Sequence, residues 1–152
     1  MGATEIQDWQ FGQLHWEDGW GWCAENVEWM SGQTIDLCIQ TELTESNTIP
    51  ERARTIFNTL RDREKEFKSL AARDLLNSFN ENICSADVDE DSRPEGWPFN
   101  TESFINLLGL WWVSIDTDGE SELQYITGMP LLRVIISPDL SFMEAFFDCY
   151  YQ

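Results

Sequence analysis

The stretch TIPERARTIFNTLRDREKEFKSLAARDLLNSFNENI, residues 48 to 83, decides how this chain folds. Ala53, Ile56, Phe57, Leu60, Phe67, Leu70, Ala71, Leu75 and Phe79 recur mostly three or four apart, which lays an apolar stripe along one face of a helix. Thr48 and Glu51 have the spacing of a capping box, and Pro50 falls in the first turn, where its missing N–H costs nothing. A single helix over the whole stretch would be about 50 Å long at ~1.5 Å per residue. That is long for a domain of this size, so a break is expected in the charged run Arg61 to Glu66, giving two helices. The apolar stripe requires a cover, and the flanking sequence supplies it.

Both flanks read as strands. Residues Gln7 to Leu43 form a meander: Trp20, Trp22 and Ala24 alternate with Gly21 and Cys23, and Ile35, Leu37 and Ile39 alternate with Asp36, Cys38 and Gln40. Turn signals at Glu17-Asp18-Gly19 and Ser31-Gly32 divide this region into three antiparallel strands. Beyond the helical stretch, Cys84 to Pro98 is a loop, and Asn100 or Thr101 caps a short helix that stops at Gly109. Leu110 to Ile115 and Leu123 to Ile126 make a hairpin around Asp116-Thr117-Asp118-Gly119. Leu131 to Ile136 and Phe142 to Tyr150 complete a second β region. With strands, helices and strands in that order and no alternating β-α-β units, the expected fold is α+β. A mainly antiparallel sheet lies in two β regions separated by the central helical segment, as a single domain over residues 1 to 152.

Composition narrows function. The 152 residues include 28 Asp and Glu against nine Lys and Arg, for a formal charge of -19, and seven of the nine bases lie between Arg52 and Arg73. A field of that sign repels phosphates and anionic lipid and attracts basic partners, so direct nucleic-acid and membrane binding are disfavoured. Residues 1 to 10 lack the basic and apolar regions of a signal peptide, and no apolar run approaches a membrane span, so a cytoplasmic location is expected. Cys23, Cys38, Cys84 and Cys149 contain no C-x-x-C pair, and Cys38 and Cys149, inside strands, are expected to be reduced, half-buried thiols.

No catalytic motif is present, and no metal or cofactor is expected. Asp87, Asp89 and Asp91 imitate the start of a calcium loop, but Ser92 stands where glycine is needed and Pro98 where glutamate is needed. Asp116, Asp118 and Glu120 are what a tight turn selects. His15 is the only histidine and sits in a strand between Leu14 and Trp16, without any nucleophile motif beside it. Arg133, within an apolar run, either faces water or pairs with an acid. The last strand is the more telling element. Met143, Ala145, Phe147 and Cys149 form one face, leaving Phe142, Glu144, Phe146, Asp148 and Tyr150 on the other. Interleaved aromatic and acidic groups suit a basic partner through cation-π contact and charge-assisted hydrogen bonds. Trp111 and Trp112, adjacent in a strand, are expected on opposite faces, and Trp112 joins the candidate binding surface.

The segment Ala71 to Glu81, followed by Phe104-Ile105-Asn106-Leu107-Leu108 and the hairpin Ser114 to Tyr125, resembles small bacterial domains of unknown function, some similar to immunity proteins of polymorphic toxin systems. A Gly-His pair expected after Tyr125 is replaced by Gly128-Met129-Pro130, so no site residue carries over. The resemblance implies a compact α+β domain that acts by binding another protein. The resulting expectation is a non-enzymatic acidic domain that neutralises a basic protein, a toxin or nuclease. The rival readings are a phage-type nucleic-acid mimic, a small-molecule-binding protein or enzyme with a Trp-lined pocket, and a structural subunit.

Overall fold

The computed structural model describes residues 4–41, 49–80, 99–127 and 131–148. Ten elements follow in order: β1 Glu5–Asp8, β2 Gly12–Glu17, β3 Gly21–Met30, β4 Gln33–Ile39, α1 Glu51–Asn80, α2 Thr101–Leu107, β5 Gly109–Ile115, β6 Ser121–Ile126, β7 Leu131–Ile136 and β8 Phe142–Asp148. The strands form one eight-stranded sheet in sequence order. Every neighbouring pair is antiparallel except β4 and β5, which run parallel because α1 and α2 cross over between them. The first β region therefore holds four strands rather than three, because Glu5–Asp8 pairs with β2 ahead of the expected meander.

The helical stretch does not break. α1 is continuous over 30 residues, about 45 Å at ~1.5 Å per residue. Eight strands at ~4.8 Å spacing make a sheet about 34 Å wide, and the helix spans that width. Arg54 meets Asp8 of β1, Glu64 meets Trp29 of β3 and Tyr125 of β6, and Phe79 meets Phe147 of β8. The charged run at mid-helix survives because one of its members is a core residue. Glu64 is 5% exposed and accepts hydrogen bonds from Trp29 Nε1 and the Tyr125 hydroxyl, both at 3.0 Å, while Lys65 and Glu66 are exposed and Arg61 and Arg63 lie half-buried against the Phe57 and Phe67 rings. The proposed Thr48 cap and the Asp87 to Asp91 loop lie outside the described residues, as do Cys84, Cys149, Tyr150 and Gly128-Met129-Pro130.

One face of the sheet packs on the helices. Leu14, Trp22, Trp29, Ile35, Leu37, Val113, Leu123, Tyr125, Leu132 and Val134 supply it, against Ile56, Phe57, Leu60, Phe67 and Ala71 of α1 and Phe104 of α2. Asn100 caps α2, its side chain accepting from the Ser103 N–H at 2.8 Å. Gly109 begins β5 instead of ending that helix, which is closed by the Leu108 N–H donating to the Ile105 carbonyl. No described helix is long and apolar enough to cross a membrane.

Candidate functional site

The opposite face of the sheet carries no helix among the described residues, and strand register decides what it displays. In one row across β4 to β8, Asp36 pairs with Trp112, Trp112 with Gln124, Gln124 with Arg133, and Arg133 with Phe146. The neighbouring rows place Ser114, Glu122, Ile135 and Glu144 on one side, and Ile126, Leu131 and Asp148 on the other. Trp112, Glu144, Phe146 and Asp148 thus come together on a single open surface. Phe142 does not join them. The ladder between β7 and β8 shifts register between Ile135 and Ile136, so Phe142 pairs with Ile136 and packs against the core, while Met143 is 53% exposed. An irregularity of this kind inverts the faces predicted by strict alternation.

A second shift changes the tryptophans. Between Leu110 and Trp112 the β5–β6 ladder skips a residue, so Trp111 is the unpaired member of a bulge. Trp111 and Trp112 therefore share the open face instead of dividing between two, with ring centroids 6.4 Å apart. Trp20 completes the group, its ring meeting that of Trp112 edge to face at 5.4 Å and 86°. Alternation alone puts Trp20 with Trp22, which is instead fully buried in the core. The separation comes from Gly21, whose φ of +88° turns the chain between the two indoles. A Cβ there would collide with the carbonyl oxygen of Ile39, so both the conformation and the close approach require glycine.

The three tryptophans enclose an open recess of about 300 Å³, completed by Glu17, Cys38 and Gln124. Cys38 is not a free thiol. It is disulfide-bonded to Cys23, its register partner across β3 and β4, with Cα atoms 4.2 Å apart. Beside the recess, Arg133 is clamped by its own sheet. Its Nε and Nη2 donate to the two oxygens of Glu122 at 2.9 and 2.6 Å, Nη1 lies 3.8 Å from Asp148, and the guanidinium sits 5.2 Å from the centre of the Phe146 ring. The Glu122 hydrogen bonds hold the Arg133 guanidinium above its ordinary value, against the opposing effect of burial. Arg133 is the single Lys or Arg among the described strands, so the acids around it outnumber it.

The remaining candidates have local explanations. His15 Nε2 lies 3.0 Å from Glu17 Oε1 on the exposed side of β2, with no described nucleophile beside it. Asp116 and Asp118 accept hydrogen bonds from the Thr117 and Glu120 N–H groups, which closes the β5–β6 turn. No group of three or more potential metal ligands occurs among the described residues.

A family model covers most of this architecture, matching residues 8–132. The chain belongs to the DUF2262 family. That family is described as uncharacterized proteins conserved in bacteria. No curated protein matches the chain, and no solved structure does. Within this DUF2262 chain the recess and the Glu64–Tyr125 contact fall inside the matched span, whereas Glu144, Phe146 and Asp148 of β8 lie beyond it.

Proposed function

We propose that this DUF2262 protein works by binding rather than by catalysis, and that its open sheet face docks a basic protein and neutralises it, as an immunity protein does its toxin or nuclease. The observation that carries this reading is the juxtaposition of Trp112, Phe146, Glu144 and Asp148 on the sheet face that no described helix covers. Aromatic rings supply desolvated contact area, and carboxylates accept charge-assisted hydrogen bonds from Lys and Arg. Seven of the nine bases sit in α1, on the other side of the sheet, so the acidic field is concentrated away from the helix. That field steers encounter and makes association depend on salt.

The test is capture from the source cell's lysate with two charge-matched variants beside the parent chain. Glu144→Lys with Asp148→Lys alters the open face, and Asp62→Lys with Asp74→Lys alters exposed positions of α1 by the same charge. A basic protein retained by the parent, released by rising salt, kept by the helix variant and lost by the sheet variant is the expected result. Equal loss from both variants would mean that only net charge matters, and the docking face would be abandoned.

A further inference from the structure

We infer that the recess formed by Trp20, Trp111 and Trp112 receives the guanidinium of an arginine side chain from the basic partner, with Glu17 as its counter-charge; this rests on the binding reading above. Three indoles on a surface this acidic need an explanation. Trp20 is 49% and Trp111 37% exposed, which leaves ring faces in water that the core of this chain does not use. Elsewhere the protein covers aromatic faces with its own cations: Arg54 lies 4.9 Å from the Trp9 ring centre, Arg63 4.8 Å from Phe67 and Arg133 5.2 Å from Phe146. Among the described residues no cation of this chain lies over Trp20, Trp111 or Trp112. The recess therefore presents the same kind of surface with the cation left to come from outside.

Shape and charge select the guanidinium. A volume of about 300 Å³ is at the small end of ligand pockets, enough for one side chain rather than a large cofactor. Trp112 meets Trp20 at 86° and Trp111 at 32°, so a planar group laid on one indole meets a second ring from the side. Guanidinium is planar and weakly hydrated, stacks on aromatic faces, and presents a fork of donors to a carboxylate. Glu17, whose Oε1 also lies 3.0 Å from His15 Nε2, supplies that carboxylate at the rim through its second oxygen, and Gln124, whose amide donates to Glu122, has its carbonyl oxygen as acceptor. An ammonium is compact and holds its water more strongly, so lysine gains less in an open recess. A neutral apolar side chain would gain nothing from Glu17. Gln124 at the recess is the register partner of Arg133, so the bound arginine would lie along the same row as the Arg133–Glu122 clamp.

The experiment follows the indole N–H resonances of the intact ¹⁵N-labelled protein during titration with blocked Gly-Arg-Gly, blocked Gly-Lys-Gly, the neutral Gly-citrulline-Gly and guanidinium chloride. Trp20→Leu and Trp112→Leu assign the two signals and Glu17→Gln tests the counter-charge. Trp20 precedes β3 and is half exposed, so its replacement leaves the core intact, which the unchanged shifts of buried methyl groups verify. Saturable movement of both signals by the arginine peptide, roughly three- to five-fold weaker with citrulline or lysine, is expected. Glu17→Gln should weaken it by a similar factor, and Trp112→Leu should abolish saturation. Equal response to the citrulline or lysine peptide, or absence of saturation, would overturn the assignment, whereas guanidinium ion moving the same two signals supports it. A recess indifferent to arginine in a protein whose Glu144→Lys, Asp148→Lys variant still loses its partner would remove this inference and leave the docking face standing.

Discussion

The hydroxyl of Tyr125 on β6 donates a hydrogen bond of 3.0 Å to Glu64 in the middle of α1, a contact sealed between helix and sheet. Trp29 Nε1 donates to the other oxygen of the same carboxylate at 3.0 Å, and Lys68 Nζ lies 3.7 Å away. Tyr125→Phe removes one donor and leaves a buried oxygen short of a partner, at a cost of about 1–3 kcal/mol. At roughly 2–4 °C of Tm per kcal/mol for a chain of this size, thermal melts resolve the difference. Burial first, and then the Glu64 charge, push the Tyr125 phenol well above its ordinary 10.0. The neutral form is therefore favoured in the folded state. Stability from this group is present below pH 10 and is lost above it, where the unfolded chain ionises first. The variant should show a shallower alkaline loss than the parent, and identical slopes would show that Tyr125 does not carry it.

Asp8 and Arg54 tie the first strand to the start of α1. Burial alone would raise the Asp8 carboxyl, but hydrogen bonds from the Arg54 guanidinium and from the Phe11 and Gln10 N–H groups outweigh it and hold the group below 3.8. A depressed folded value means stability that is present above about pH 4 and is lost as pH falls through the folded value. Asp8→Asn should flatten that acid limb. It should also cost about 3 kcal/mol, because Arg54 is left buried with only the exposed Glu51, 3.4 Å from its Nε, as counter-charge. Urea unfolding at pH 3 and pH 7 checks both parts, and a neutral effect at pH 7 would contradict them.

The order of elements was legible because it rests on periodicity and turn residues, which act locally. Ile56, Phe57, Leu60 and Phe67 mark the core face of α1, and Asn100 marks the start of α2. The continuity of α1 was not legible, because the reason for it lies in Trp29 and Tyr125, strands away from Glu64 in sequence. A charged run reads as solvated until the partners that bury one of its members are known. The extra edge strand and the parallel β4–β5 pairing are likewise decided by tertiary contacts.

The Cys23–Cys38 disulfide is a second feature that spacing alone left open. It closes a loop of 15 residues and joins two thiols that are 5% and 7% exposed. Constraining a loop of that length in the unfolded chain stabilises by about 3 kcal/mol. Cys23→Ser with Cys38→Ser should lower Tm by roughly 6–12 °C, and reductant should shift the parent toward the variant without moving the variant itself. A parent and variant that melt together in the absence of reductant would mean that the bond is not formed in solution.

Four of the six candidate surface residues could be read from alternation: Glu144, Phe146, Asp148 and Trp112 stand where a period of two puts them. Besides the turn at Gly21 that parts Trp20 from Trp22, two errors sit at ladder irregularities. One at Ile135/Ile136 sends Phe142 inward, and one at Leu110/Trp112 brings Trp111 beside its neighbour. A bulge adds one residue and flips every face prediction beyond it, and no residue type in these runs announces it.

Arg133 provides the sharpest test of how the open face uses charge. Its two hydrogen bonds to Glu122 and its proximity to Asp148 neutralise acids that a basic partner would otherwise meet. Arg133→Gln should cost the fold little, about 1 kcal/mol or less, since the side chain is 32% exposed and the ion pair is partly screened. It should at the same time speed association with the captured basic partner, by roughly two-fold or more at low salt. The gain should vanish as salt rises, because screening acts on the freed carboxylates. Stopped-flow association rates at two ionic strengths separate the possibilities. Faster binding at low salt identifies Arg133 as an internal brake on an acidic docking face. Slower binding at every salt concentration would make Arg133 itself an anchor, and the partner would then have to offer it an acid.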